Sequence, residues 1–340
     1  MPERGTYMGG GGAYYDRDTK DGYSRGSKGF SQSAETTMSR RSADAALLPY
    51  QRVLQTNVKS PVVNAFDVTG SMGDLPKIIY DKMPLIAGQI MENGYLNDPA
   101  FSLAAVGDVV SDNAPIQIAE FSPIKKLDGC LERIWLEGNG GGQDVESYEF
   151  TAYFYARYCE IPNAVTPFFL FTGDEGFRET LSSNELRQHF GGEHQTIEAA
   201  QVFDELKKKF FGNVFLVHRK YQGNDAGIVR QWRNVLGAER VIILPSDQAI
   251  ADVTLGIFAF MSGERSLDEY LDDMKTKRDV AQTEERIAQV REALLPLTAL
   301  NVPKKVGVQK KIKGAQAVPL VTPDKKVQKS SAKKDRPNRL

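Results

Sequence analysis

The feature that most constrains this chain is a repeated alternation of two patterns. Short apolar runs bounded by Gly, Pro or Asp are separated by stretches whose apolar residues recur at helical spacing. Apolar runs of that length suit strands buried on both faces, and strands alternating with helices are the sequence form of a parallel sheet covered by helices. The expected strands are Val62–Phe66, Phe101–Val106, Ile116–Glu120, Phe168–Thr172, Asn213–Val217 and Val241–Leu244. Leu75, Ile78, Ile79, Ile86 and Ile90 mark a helix, with Pro76 tolerated in its first turn. Further helices are expected at Ile124–Leu136, Glu146–Tyr158, Thr196–Phe210, Ile228–Leu236 and Asp247–Met261. A long charged stretch carries Leu267, Tyr270, Leu271, Met274, Val280, Ile287, Val290 and Leu294, and reads as one or two helices that pack on the body or bind a partner. The expected fold class is α/β, a doubly wound, mostly parallel, Rossmann-like sheet with a C-terminal helical extension and disordered tails.

Composition sets the limits of the folded part. With 41% apolar and 26% charged residues, the 340-residue chain has the balance of a globular protein. Residues 1–48 contain Gly9-Gly10-Gly11-Gly12 and almost no aliphatic residue before Ala45, so they read as a flexible arm that buries too little to offset its ordering entropy. Residues 49–263 form the expected main domain, 264–300 the helical extension, and 301–340 a basic disordered tail with Pro303, Pro319, Pro323 and Pro337. Lys and Arg minus Asp and Glu gives +3 for residues 1–60, −14 for 61–300 and +10 for 301–340. An acidic body lacks the clustered cations that phosphate contacts need, which leaves only the tail to meet nucleic acid. No apolar stretch is long enough to span a bilayer and none follows Met1 as a secretory signal, so the expected location is the cytoplasm, without a membrane partner. Cys130 and Cys159 are too few for a disulfide framework, and with no CxxC and three histidines a structural zinc site is unsupported.

Oxygen side chains gather at the ends of the expected strands. The first strong strand runs into Phe66-Asp67-Val68-Thr69-Gly70-Ser71-Met72, then Gly73 and Asp74 lead into a helix. Asp, Thr and Ser at i, i+2 and i+4 place three oxygen donors on one loop at the carboxyl edge of a sheet, where open α/β sheets bind ligands. That set suits Mg²⁺ or Mn²⁺, with Ca²⁺ ranking below them, and offers no thiolate or imidazole for zinc. A second acidic loop, Thr172-Gly173-Asp174-Glu175-Gly176, follows another strand. Between the two lies the glycine-rich segment Gly138-Asn139-Gly140-Gly141-Gly142-Gln143-Asp144-Val145-Glu146-Ser147.

In these three segments the chain resembles the von Willebrand factor type A (VWA) family. Asp67-Val68-Thr69-Gly70-Ser71 is similar to its D-x-S/T-x-S signature for the metal-ion-dependent adhesion site, MIDAS. The glycine-rich segment stands where the family's second metal loop lies, and Thr172-Gly173-Asp174-Glu175 is similar to its T-D-G/E loop. The resemblance spans about Val62 to Gly263 and implies that Asp67, Thr69, Ser71 and Asp174 hold one divalent cation, some directly and some through water. It departs in two places. Where the family supplies a Thr or Asp straight after its Gly pair, Gln143 and Asp144 share the position; the Asp144 carboxylate is the better hard ligand, with Gln143 the alternative. An extra Gly173 shifts the third loop. The resemblance implies binding rather than catalysis: a carboxylate of a partner protein, Asp or Glu, fills the open position on the cation, in multiprotein assemblies of the kind that contain AAA+ ATPases.

Other readings compete with this one. Thr69 and Ser71 are also ordinary helix-capping residues. Asp67-Val68-Thr69-Gly70-Ser71 also resembles the D-K-T-G-T motif of P-type ATPases and haloacid dehalogenases, which would make the protein a Mg²⁺-dependent phosphotransferase or phosphatase with Asp67 as nucleophile. Those enzymes need a Lys after the Asp, or a second Asp two residues on, and Val68 and Thr69 stand there instead; Arg178 occupies the place of a later acid. His189 and His194 read as a loop pair without metal, His218 as a packed strand residue, and Tyr148, Phe150, Tyr153, Phe154, Tyr155 and Tyr158 as core.

Overall fold

The computed structural model describes residues 42–123, 126–136, 145–221, 223–277 and 282–302. Most of the expected arm, nearly all of the basic tail, and both Gln143 and Asp144 therefore lie outside the described residues. The last residues assigned to the arm are packed: Ala45–Leu47 form a 3-10 turn capped by Asp44, and Leu47 is buried in the core.

Seven strands make the main sheet: β1 (Ser60–Asp67), β2 (Pro99–Val106), β3 (Ile116–Ile118), β4 (Ser122–Pro123), β5 (Phe168–Gly173), β6 (Val214–Arg219) and β7 (Val241–Leu244). The order is β7-β6-β5-β1-β2-β3, with β4 also paired to β2. The helices are α1 (Leu75–Asn93), α2 (Leu127–Leu131), α3 (Tyr148–Arg157), α4 (Ser183–Phe190), α5 (Ala199–Lys209), α6 (Asp225–Leu236), α7 (Ile250–Met261), α8 (Leu267–Thr276) and α9 (Glu284–Leu294).

The expected doubly wound, mostly parallel Rossmann-like sheet is corrected to a mixed one. The pairs β1–β2, β1–β5, β5–β6 and β6–β7 are parallel, but β3 and β4 both run antiparallel to β2. The reason lies in residues 107–115, which are too few for the helical crossover that a parallel return requires. Gly107 donates to the Pro115 carbonyl at 2.8 Å and the chain turns straight back.

Alternate residues of each strand supply two apolar layers. Val62, Phe66, Leu103, Phe168, Leu170, Phe215 and Val217 pack with α1, α7, α8 and α9, whereas Val63, Ala65, Phe169, Phe171, Val214 and Leu216 pack with α3 to α6. Leu267, Tyr270, Leu271, Met274, Ile287, Val290 and Leu294 are buried in the first layer, so α8 and α9 share the core of the sheet. No described helix is long and apolar enough to cross a membrane.

Several helix boundaries differ from the periodicity. Among the described residues of the expected Ile124–Leu136, only Leu127–Leu131 is α-helical. The helix expected from Glu146 starts at Tyr148 because Val145 bridges Gly176 and the Glu146 amide donates to the Gly176 carbonyl at 3.0 Å. Helix α4 replaces the expected loop around His189; its start is fixed by a capping box between Ser182 and Glu185.

Candidate functional site

The carboxyl ends of β1 and β5, which are adjacent and parallel, bring the first and third loops side by side. After Asp67, Thr69 begins a 3-10 turn over Gly70–Met72, closed by Gly73 at φ +54°, a value that favours glycine. Thr69 donates twice to Asp67 Oδ1, from its backbone N–H at 2.8 Å and its hydroxyl at 2.5 Å. Ser71 donates its hydroxyl to Asp174 Oδ1 at 3.0 Å, and the Thr69 and Ser71 hydroxyl oxygens lie 3.3 Å apart. The structure thus gathers Asp67, Thr69, Ser71 and Asp174, while Asp144 lies outside the described residues.

Three side chains that were not among the expected ligands complete this cluster. Tyr148, expected as core, donates its hydroxyl to Asp67 Oδ2 at 2.7 Å, with its ring edge-on to Phe171 and Trp232. Glu146 is buried, and its Oε2 has no hydrogen-bond partner among the described residues. Arg219, the last residue of β6, donates to the Ser71 carbonyl at 2.9 Å and lies 3.6 Å from Asp174 Oδ2. The signal for Tyr148 was present in the sequence as the extra Gly173: a Cβ at that position would overlap the Tyr148 hydroxyl.

Ser147 and the third loop are pinned from several sides. Ser147 donates its amide to the Gly107 carbonyl at 3.0 Å and accepts from the Val109 amide at 2.9 Å. From α6, Trp232 Nε1 donates to the Glu175 carbonyl at 2.9 Å, and Gln231 bonds both the amide and the carbonyl of Phe177. The residues at the sheet edge are thereby held on rigid elements, which is what a preorganised site requires.

Electrostatically the cluster is short of positive charge. Burial, then the Asp174 charge, pushes the Asp67 carboxyl up to about 7, and burial, then Asp67, pushes Glu146 up to about 10. Burial also raises Asp174, against the pull of its Ser71 hydrogen bond and Arg219. Asp174 Oδ2 accepts no hydrogen bond among the described residues. Among those residues no three Asp, Glu, His or Cys side chains group closely enough to hold a metal by themselves, so any cation here has to draw on the hydroxyls.

Beside the cluster, Glu149 is fully buried on α3; burial pushes its carboxyl up to about 8, with the Arg178 charge pulling the other way. A raised carboxyl pKa stabilises the fold below the unfolded value and loses that contribution as pH rises toward about 8. Glu149→Gln is therefore expected to gain stability relative to the wild type between pH 4.5 and 8, by up to about 1.4 kcal/mol for each pH unit in that range. Denaturant unfolding at pH 4.5, 6 and 8 measures it, since other groups cancel in the difference. A constant difference across that range would contradict the assignment.

No family model and no curated protein matches this chain. Among solved structures, the pilus adhesin SpaC from Lactobacillus rhamnosus GG is similar at 9% identity and a TM-score of 0.39, over 62% of this chain and 32% of that one. Proximal thread matrix protein 1 from the mussel byssus is similar at 7% identity and a TM-score of 0.40, over 60% of this chain and 49% of that one. A point mutant of the PilB minor pilin from Streptococcus sanguinis is similar at 11% identity and a TM-score of 0.38, over 61% and 62% of the two chains. This chain thus spans about a third of SpaC and half of the mussel protein.

Proposed function

We propose that this chain is a divalent-cation-dependent protein-binding module that recognises a partner's Asp or Glu through the cluster of Asp67, Thr69, Ser71 and Asp174. The reading rests on the site and its motif, not on the fold class. One observation carries it. The Thr69 and Ser71 hydroxyl oxygens stand 3.3 Å apart, each also within hydrogen-bond reach of a buried carboxylate, Asp67 for Thr69 and Asp174 for Ser71. A cation between the two oxygens would take both as ligands while their protons stay directed to the carboxylates. Cis ligands at right angles are separated by about 3.0 Å around Mg²⁺ and about 3.4 Å around Ca²⁺, and the observed spacing lies within that range. Few protein donors leave several positions to water, which favours Mg²⁺ or Mn²⁺. The two hydroxyls would hold the ion, the flanking carboxylates would neutralise it, and its remaining positions would admit a partner carboxylate.

An assembly containing an AAA+ ATPase is the setting that the motif resemblance suggests. A cytoplasmic location accords with Cys130 and Cys159 being free and buried. The nucleophile reading is less well supported, because both oxygens of the fully buried Asp67 already accept hydrogen bonds.

The test is binding of a Glu-rich peptide to the full chain in Mg²⁺ or Mn²⁺, and again with EDTA. Binding in the cation that chelation abolishes is the expected result. Equal binding in EDTA, or phosphate-ester hydrolysis that requires Asp67, would overturn the reading.

A further inference from the structure

Arg219 is a positive charge built into the cation cluster. Its Nε and Nη2 donate to the two oxygens of Asp247 at 3.1 and 3.5 Å and Nη1 donates to the Ser71 carbonyl at 2.9 Å, while Nη1 stands 3.6 Å from Asp174 Oδ2. The guanidinium is thus fixed by the loop after β1 and by the turn before α7, and it packs over the Tyr221 ring at 5.8 Å. These anchors hold it near Asp174 but beyond hydrogen-bond length, so it neutralises the carboxylate through space without closing on Oδ2. The Nη2 edge borders Gly73, which is exposed and has no side chain to cover it: a Cβ built there would lie 3.7 Å from Nη2.

Resting on the proposed cation site, we infer that Arg219 selects the anion at that site: it opposes binding of the divalent cation alone and favours the state in which a carboxylate has joined it. The physics is one of sign. A fixed guanidinium beside Asp174 repels an incoming divalent ion, which lowers the affinity of the empty site for metal. The same charge attracts a carboxylate through space, its Nε–Nη2 fork being engaged by Asp247. Cation and carboxylate then bind cooperatively, because the carboxylate supplies negative charge that offsets the repulsion between Arg219 and the metal. A residue that merely positioned the Ser71 loop would act on the cation in the opposite direction.

The experiment is Mn²⁺ titration of the full chain followed calorimetrically, for wild type, Arg219→Gln and Arg219→Lys, with each variant's melting midpoint in EDTA recorded as a check on folding. Arg219→Gln is expected to bind Mn²⁺ about 3–10-fold more tightly, and Arg219→Lys, which keeps the charge, to stay within about 2-fold of wild type. In saturating Mn²⁺ a Glu-rich peptide is expected to bind Arg219→Gln about 3–10-fold more weakly. Weaker or unchanged Mn²⁺ binding by Arg219→Gln would overturn the inference and leave the cation site standing. A wild type that binds no Mn²⁺ removes the site itself, and the inference with it.

Discussion

Gly173→Ala is expected to destabilise the protein by about 3 kcal/mol, the upper end of the cost of overpacking a rigid interior. A Cβ at Gly173 would overlap the Tyr148 hydroxyl and stand 2.7 Å from the ring carbon that bears it. The ring has no easy retreat, because it is fully buried and meets Phe171 and Trp232 edge-on at centroid distances of 5.9 and 5.2 Å. Relief would come from moving β5 or from pulling the hydroxyl off Asp67, and the second route disturbs the site. The substitution is therefore expected to lower stability and cation affinity together. Tyr148→Phe, which keeps the ring and deletes only the hydrogen bond to Asp67, should lower cation affinity by about 10-fold, as the loss of a supporting hydrogen bond does at metal sites. Coupling is measured by repeating Gly173→Ala in a Tyr148→Leu background, where its cost should drop below about 1 kcal/mol. Equal costs in the two backgrounds would mean that the glycine serves something other than the tyrosine.

That pair also shows how far the sequence could be read. The strands were legible because a buried strand needs an unbroken apolar run: the segments expected around Val62, Phe101, Phe168, Asn213 and Val241 all lie in the sheet. The direction of β3 was not legible from its own residues. It follows from the length of the connection at 107–115, and an apolar run reads the same in either direction. Asp67, Thr69 and Ser71 share one loop, so their spacing alone places them together. Asp174 meets them only because β1 and β5 are neighbours, a pairing of residues far apart in the chain that local periodicity does not encode. Tyr148 and Arg219 were harder still. Tyr148 sits in a run of aromatic residues whose other members pack in the core, and Arg219 ends a strand that looks purely structural. Each had one trace: the extra Gly173 for Tyr148, and for Arg219 a cation two residues beyond the apolar run Val214–Val217.

Asp67→Asn is expected to leave the metal-free protein at least as stable as the wild type and to abolish its response to divalent cations. The amide has the shape of the carboxylate, so its oxygen can still accept from the Thr69 amide and hydroxyl, which approach Oδ1 at 2.8 and 2.5 Å. Its nitrogen takes the place of Oδ2 and donates to Tyr148, whose hydroxyl reverses role from donor to acceptor. What vanishes is the negative charge, and the buried pair of Asp67 and Asp174 then no longer repels itself in EDTA. In the wild type a cation at 100 times its Kd stabilises the native state by about 2.7 kcal/mol, which corresponds to a midpoint rise of roughly 5–10 °C. The variant should show neither the rise nor its logarithmic growth with cation concentration. Thermal unfolding of the full chain in EDTA and in graded Mg²⁺ or Mn²⁺ measures both quantities. A variant that kept the cation-dependent rise would place the ion elsewhere. One that lost tens of degrees in EDTA would make Asp67 a structural carboxylate first, held for the sake of Thr69 and Tyr148. The intended pattern separates these, because only a metal-neutralising carboxylate is dispensable in EDTA and indispensable in the cation.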